Sequence, residues 1–145
     1  MELLTFLVAD YANVAEGGKL NVMGIFSNIF ATNFPARHPS MFIVAKLGAD
    51  LGEYGDQRTL TIKLMDADGH EIMRFERPII IPQPEGGHRP EVTAILQIND
   101  IVFPYAGRYQ FSLQIDKDLK GAYPLDITQI PVVQNQEPTS PAKGE

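Results

Sequence analysis

The chain of 145 residues has no cysteine. That removes disulfide frameworks, thiolate zinc sites, iron–sulfur ligation and cysteine nucleophiles together. It also has no run of Lys or Arg, and 12 basic against 18 acidic residues leave a formal charge of −6. Nucleic acid and anionic lipid both require a phosphate-neutralising basic face, so the composition argues against either as a partner. Long apolar runs are missing too. The longest near the start, LLTFLVA at Leu3–Ala9, is cut by Asp10, well short of the roughly 20 apolar residues that span a bilayer. The only charge before it is Glu2, where a secretory signal carries a positive segment. The stretch reads as a buried strand of a cytoplasmic protein, and no Asn-x-Ser/Thr acceptor contradicts that compartment.

The usual signatures of catalysis are absent as well. None of the four serines, Ser27, Ser40, Ser112 and Ser140, lies in a Gly-x-Ser-x-Gly elbow. The three histidines, His38, His70 and His88, show no metal-ligand spacing. EGGKLN lacks the second Gly and the Ser/Thr after Lys of a phosphate loop. PEGGHRP reads as a flexible connection between strands rather than an anion nest beside Arg89. The expectation is a protein that is not an enzyme, with no catalytic residue, no metal and no cofactor.

What the chain does have is strand periodicity. In GRYQFSLQID, Tyr109, Phe111, Leu113 and Ile115 alternate with Arg108, Gln110, Ser112 and Gln114, the pattern of a half-buried strand. Leu60, Ile62 and Leu64 alternate in the same way, as do Val92, Ala94, Leu96 and Ile98. Further runs cover 3–11, 19–31, 41–47, 72–81 and 122–133, and no helix emerges. Turn signals stand between them: EGG, FPARHP, GADLGEYGD, DADG, PQPEGGHRP, PYAG and DKDLKG. Short strands punctuated this regularly predict one all-β domain, a single antiparallel β-sandwich of about eight strands over residues 1–133. A chain of this length can bury roughly 70% of its unfolded surface, so a core without staples is expected. Residues 134–145 carry no apolar periodicity and read as a flexible tail. Gly24 interrupts the alternation of 19–31 and marks a bulge or a passage from one sheet to the other.

FPYAGRYQF resembles the corner before the penultimate strand of immunoglobulin-like sandwiches. That resemblance implies a buried, structural Tyr109 whose hydroxyl returns to the backbone, with Phe111 where antibody domains place a cysteine. A second resemblance rests on Asp-Tyr-Ala, Gly-Lys-Leu-Asn, Gly-Ile-Phe and Phe-Pro-x-x-His-Pro between Asp10 and Pro39, read together with GRYQFSLQID. These residues are similar to a family of short uncharacterised bacterial proteins, which implies a fold and no activity.

DADGHE, Asp66–Glu71, begins like a calcium loop, but the twelfth position from Asp66 is Arg77 and the flanks are strands. It reads instead as a hairpin turn, with Asp68 and Gly69 supplying positive φ. If strands alternate in direction and the run at 19–31 counts as one strand, Glu16, Asp50, Glu53, Asp56, Glu85, His88, Asp116 and Asp118 share one pole, and Arg37, His38, Asp66, Asp68 and His70 share the other. Solvated loop carboxylates are the plainer reading of the acidic pole. A small-ligand or divalent-cation site in those loops is the alternative function. The preferred reading is a binding or assembly module whose partner is a protein or a second copy of the chain. In SMFIVAKL both faces are apolar, so Phe42 and Val44, opposite Met41, Ile43 and Ala45, are the expected partner surface. Pro78, Pro82, Pro84 and Pro131 are expected to protect sheet edges, which favours packing of faces over strand addition.

Overall fold

The computed structural model describes residues 1–132; the expected tail at 134–145 lies outside the described residues. The chain forms β1 (Glu2–Val14), β2 (Leu20–Ile25), β3 (Asn28–Ala31), β4 (Ala36–Gly48), β5 (Gln57–Asp66), β6 (Glu71–Ile80), β7 (Glu91–Phe103), β8 (Gly107–Ile115) and β9 (Asp118–Gln129). Among the described residues, a 3₁₀ turn at Leu51–Glu53 interrupts the strands. The first sheet has the order β2-β1-β4-β7 and the second β3-β9-β8-β5-β6. Among the described residues no helix is long and apolar enough to cross a membrane.

Period-two alternation builds the core. Met41, Ile43, Ala45 and Leu47 of β4 point to one side of the first sheet. They meet Leu60, Ile62 and Leu64 of β5 and Tyr109, Phe111, Leu113 and Ile115 of β8 in one buried cluster. Val92, Leu96 and Ile98 pack against it half-buried, as befits an edge strand.

Nine strands replace the expected eight because the run at 19–31 divides. Gly24 takes φ 71°, and after Ile25 the chain leaves the first sheet. The Phe26 amide donates to the Val8 carbonyl (3.1 Å), and the Asp126 amide donates to the Ser27 carbonyl (2.8 Å). The chain also reverses as it crosses between the sheets, and β3 joins β9 in parallel, Asn28 opposite Asp126 and Ala31 opposite Gln129. The sandwich is thus immunoglobulin-like, with one parallel pair in an otherwise antiparallel fold.

Two turn expectations and one edge expectation need correction. Ala36–Pro39 belongs to β4, paired from Ala36–Phe103 onward, so FPARHP supplies a strand start rather than a loop. Asp118–Lys120 lies within β9, because Asp116, at φ 57°, reverses the chain within two residues. Pro131 follows β9, which sits inside the second sheet between β3 and β8. It therefore guards no edge. The edge strand β6 does carry Pro78, opposite Thr59, whereas the edge strand β7 carries no proline.

Candidate functional site

The tyrosine corner is present. Tyr109 is 2% exposed. Its hydroxyl donates to the Tyr105 carbonyl at 2.7 Å, and the Tyr105 amide approaches the same oxygen at 3.3 Å. Phe103 packs edge-on against the Tyr109 ring at 5.1 Å. Burial pushes the Tyr109 phenol up from its ordinary pKa.

The corner also reaches the DADG turn, through a residue that sequence reasoning missed. The Tyr105 hydroxyl donates to Asp66 Oδ2. Asp66 Oδ1 accepts the amides of Asp68 (2.9 Å) and His70 (2.8 Å), and His70 Nδ1 lies 3.2 Å from Oδ2. Tyr105 first, then the amides of His70 and Asp68, hold the Asp66 carboxyl at about 2, against the opposing effect of its burial. In the same contact the Tyr105 phenol is pushed up to about 12. The ligand atoms of Asp66, Asp68 and His70 lie within 4.8 Å of one another, the geometry a metal would need. Both Asp66 oxygens are nevertheless occupied by hydrogen-bond donors, which makes the carboxylate the organiser of the turn. Gly69, at φ 86°, donates its amide to the Asp66 carbonyl at 3.1 Å, and the Asp66 amide donates to the His70 carbonyl at 3.0 Å. This is a three-residue hairpin loop closed by a glycine bulge. Asp68 is not at positive φ, so that part of the expectation is corrected.

At the opposite pole the loop carboxylates are drawn together by one cation. Arg58 contacts Glu53 at 3.2 Å, Asp56 at 3.1 Å and Asp116 at 3.5 Å, and Asp116 Oδ1 also accepts the Thr59 amide at 3.0 Å. The guanidinium thus neutralises part of this acidic group. Glu16 is not part of this group. β1 begins opposite Gly48 and ends at Val14 opposite Leu20, which carries the hairpin with Glu16 to the other end of the sandwich. The sequence count placed it wrongly because it took 19–31 as one strand.

The remaining feature is the outer face of the first sheet. Val44 was expected to be exposed there, and it is fully buried (0%) although it stands apart from the core between the sheets. Its neighbours in register explain this. Leu7 lies opposite on β1 and Ile95 opposite on β7, so the three side chains stand abreast. Phe42 is half-buried, with the Tyr11 ring edge-on at 5.2 Å. The exposed part lies toward β2, where Tyr11 is 47%, Ile25 60% and Met23 65% exposed. Tyr11 pairs with Met23 and Ala9 with both Ile25 and Phe42. Around these stand uncharged groups, Asn13, Asn21, Ser40, Gln97 and Asn99, the last three joined through the Gln97 amide. Farther along β4, Lys46 is paired with Glu91 at 3.1 Å. The outer face of the second sheet is different in kind. It presents Lys63, Arg74, Glu76, Arg108 and Asp126, with Arg74 near Glu76 and Arg108 near Asp126.

A family of unknown function, DUF6941, matches residues 4–128. The chain belongs to that family. The residues of the family resemblance, Asp10–Pro39 and Gly107–Asp116, all fall inside the matched span. No curated protein matches the sequence. Among solved structures, the alkylpurine DNA glycosylase AlkC of Pseudomonas fluorescens, bound to DNA containing an abasic site analog, is similar over 88% of this chain, at 8% identity and a TM-score of 0.50. This chain spans 30% of that protein. An immunoglobulin-like protein from Pseudomonas aeruginosa is similar over 87% of this chain and 94% of its own length, at 12% identity and a TM-score of 0.42. At such identities the likeness concerns the fold.

Proposed function

We propose that this member of DUF6941 is a non-catalytic, cytoplasmic assembly module that self-associates through the outer face of its first sheet. The observation that carries this reading is the asymmetry between the two outer faces. An antiparallel sandwich ordinarily solvates both. Here the second sheet presents charges, while the first presents Tyr11, Met23, Ile25 and Phe42 within an uncharged polar rim. An apolar centre inside a polar rim is the anatomy of a protein interface. A second copy is the occupant that the charge favours. In a chain of net charge −6, two copies repel least where both are neutral. A two-fold axis through the face lets the patch meet itself.

Light scattering coupled to size exclusion tests the proposal. The wild type should run at twice the chain mass at micromolar concentration, and the double variant Met23→Glu, Ile25→Glu should run as a folded monomer. A wild type that stays monomeric across that range, or a double variant that stays dimeric, would sink the reading.

A further inference from the structure

A second, independent feature lies where the chain passes from one sheet to the other. Phe26, Ile29 and Phe30, from the crossing and β3, and Asp10 and His38, from β1 and β4, line a cleft of about 330 Å³. That is at the lower end of the range for small-molecule sites. Its walls are fixed by the backbone. The Phe26 amide donates to Val8, as described, and the Phe26 carbonyl accepts the Tyr123 hydroxyl at 2.6 Å. The Phe26 and His38 rings lie 5.7 Å apart, and Phe30 is 62% exposed.

Asp10 is the residue out of place. It stands between Val8 and Ala12, both buried, in the alternation of β1, while its own side chain is exposed. Among the described residues its carboxylate has neither a hydrogen bond nor an ion pair. Gly24 makes room for it, since a β-carbon at Gly24 would lie 2.5 Å from Asp10 Oδ2. The cleft therefore offers one unpaired carboxylate beside two phenylalanine rings. A carboxylate accepts charge-assisted hydrogen bonds from an ammonium group, and aromatic faces attract the same cation.

We infer that this cleft binds a small organic cation, a primary ammonium carried on an apolar body. The arrangement selects on two counts. Asp10 discriminates against neutral and anionic analogues of the same shape. Phe26, Ile29 and Phe30 discriminate against bare inorganic cations, which gain nothing from apolar walls.

Benzylammonium, its neutral isostere benzyl alcohol and benzoate serve as probes, with binding followed by backbone amide shifts in NMR and by calorimetry. Benzylammonium should bind at least about tenfold more tightly than either analogue, and the shifts should centre on residues 24–30 and His38. Asp10→Asn should weaken benzylammonium by about tenfold or more while leaving the thermal midpoint in place. Phe30→Leu, at an exposed position that the fold does not need, should weaken it by a smaller factor. Equal binding of benzyl alcohol, undiminished binding by Asp10→Asn, or no binding of benzylammonium would overturn the inference. So would tighter binding of N-acetyl-lysine methylamide than of benzylammonium, which would assign the cleft to a peptide side chain.

Discussion

The Tyr105 hydroxyl donates to the Asp66 carboxylate and so joins the corner before β8 to the hairpin between β5 and β6. Two loops separated by 39 positions are tied at one point, and the tie has a pH signature at each end. The folded carboxyl of Asp66 sits at about 2, below the roughly 3.9 of an unfolded aspartate. A depressed acid stabilises the fold above its unfolded pKa and loses that contribution as pH falls through the folded value. The tie should therefore weaken as pH falls from about 4 to about 2. Tyr105 has the opposite sign of shift, raised to about 12. Its contribution is complete below about 10 and fades as pH rises toward the folded value. Thermal unfolding of wild type and Tyr105→Phe across pH should show a gap between them that is widest from pH 5 to 9 and narrows at both extremes. A gap that does not change with pH would mean that Tyr105 acts by packing alone.

Tyr109→Phe tests the other half of the same corner. The substitution keeps the ring against Phe103 and removes the donor to the Tyr105 carbonyl. The expected loss is about 1 kcal/mol, typical of a buried hydrogen bond whose partner is left behind. Urea unfolding should show a lower midpoint with an unchanged slope.

Gly69→Val should cost on the order of 1–2 kcal/mol, since a β-branched residue resists the left-handed backbone at φ 86°. Gly69→Asn should cost less, because asparagine tolerates that region. Calcium should leave the melting temperature of the wild type unmoved. A rise on adding calcium that Asp66→Asn abolishes would show that the donors around Asp66 give way to an ion.

The strands were legible because their alternation is a local property of the chain. Leu60, Ile62 and Leu64, or Tyr109, Phe111 and Leu113, declare their buried face without any knowledge of partners, and each is buried. Tyr109 was readable because its corner is a sequence-local motif. What stayed hidden depends on contacts between distant segments. Tyr105 looked like a turn residue because its partner, Asp66, lies 39 positions away. The crossing after Gly24 was visible as an interruption, but the parallel pairing of β3 with β9 was not, since register between remote strands leaves no local mark. Asp10 seemed merely to end an apolar run. Its place in a cleft with His38 and Phe30 follows only once β1, β3 and β4 are set side by side.

Val44 gives the sharpest contrast between pattern and packing, and supports a final prediction. The pleat sends it to the face opposite the core, where alternation alone makes it look exposed. Abreast of Leu7 and Ile95 it has no accessible surface, so on one sheet face lie a residue that the fold needs and, toward β2, residues that it does not. Burying a valine fully is worth about 1.5–3 kcal/mol, and Val44→Ala should forfeit a large part of that. Val44→Asp should be far worse, because it places a charge with no partner among apolar side chains. Met23→Asp, at 65% exposure on the same face, should change monomer stability by no more than about 0.5 kcal/mol, as surface substitutions usually do. Urea titrations at a concentration low enough to keep the chain monomeric separate the two effects. If Met23→Asp destabilises the isolated chain as much as Val44→Ala does, the exposed side chains near β2 serve folding rather than association. If Val44→Ala alone is costly, the division of this face into a structural centre and an available margin holds.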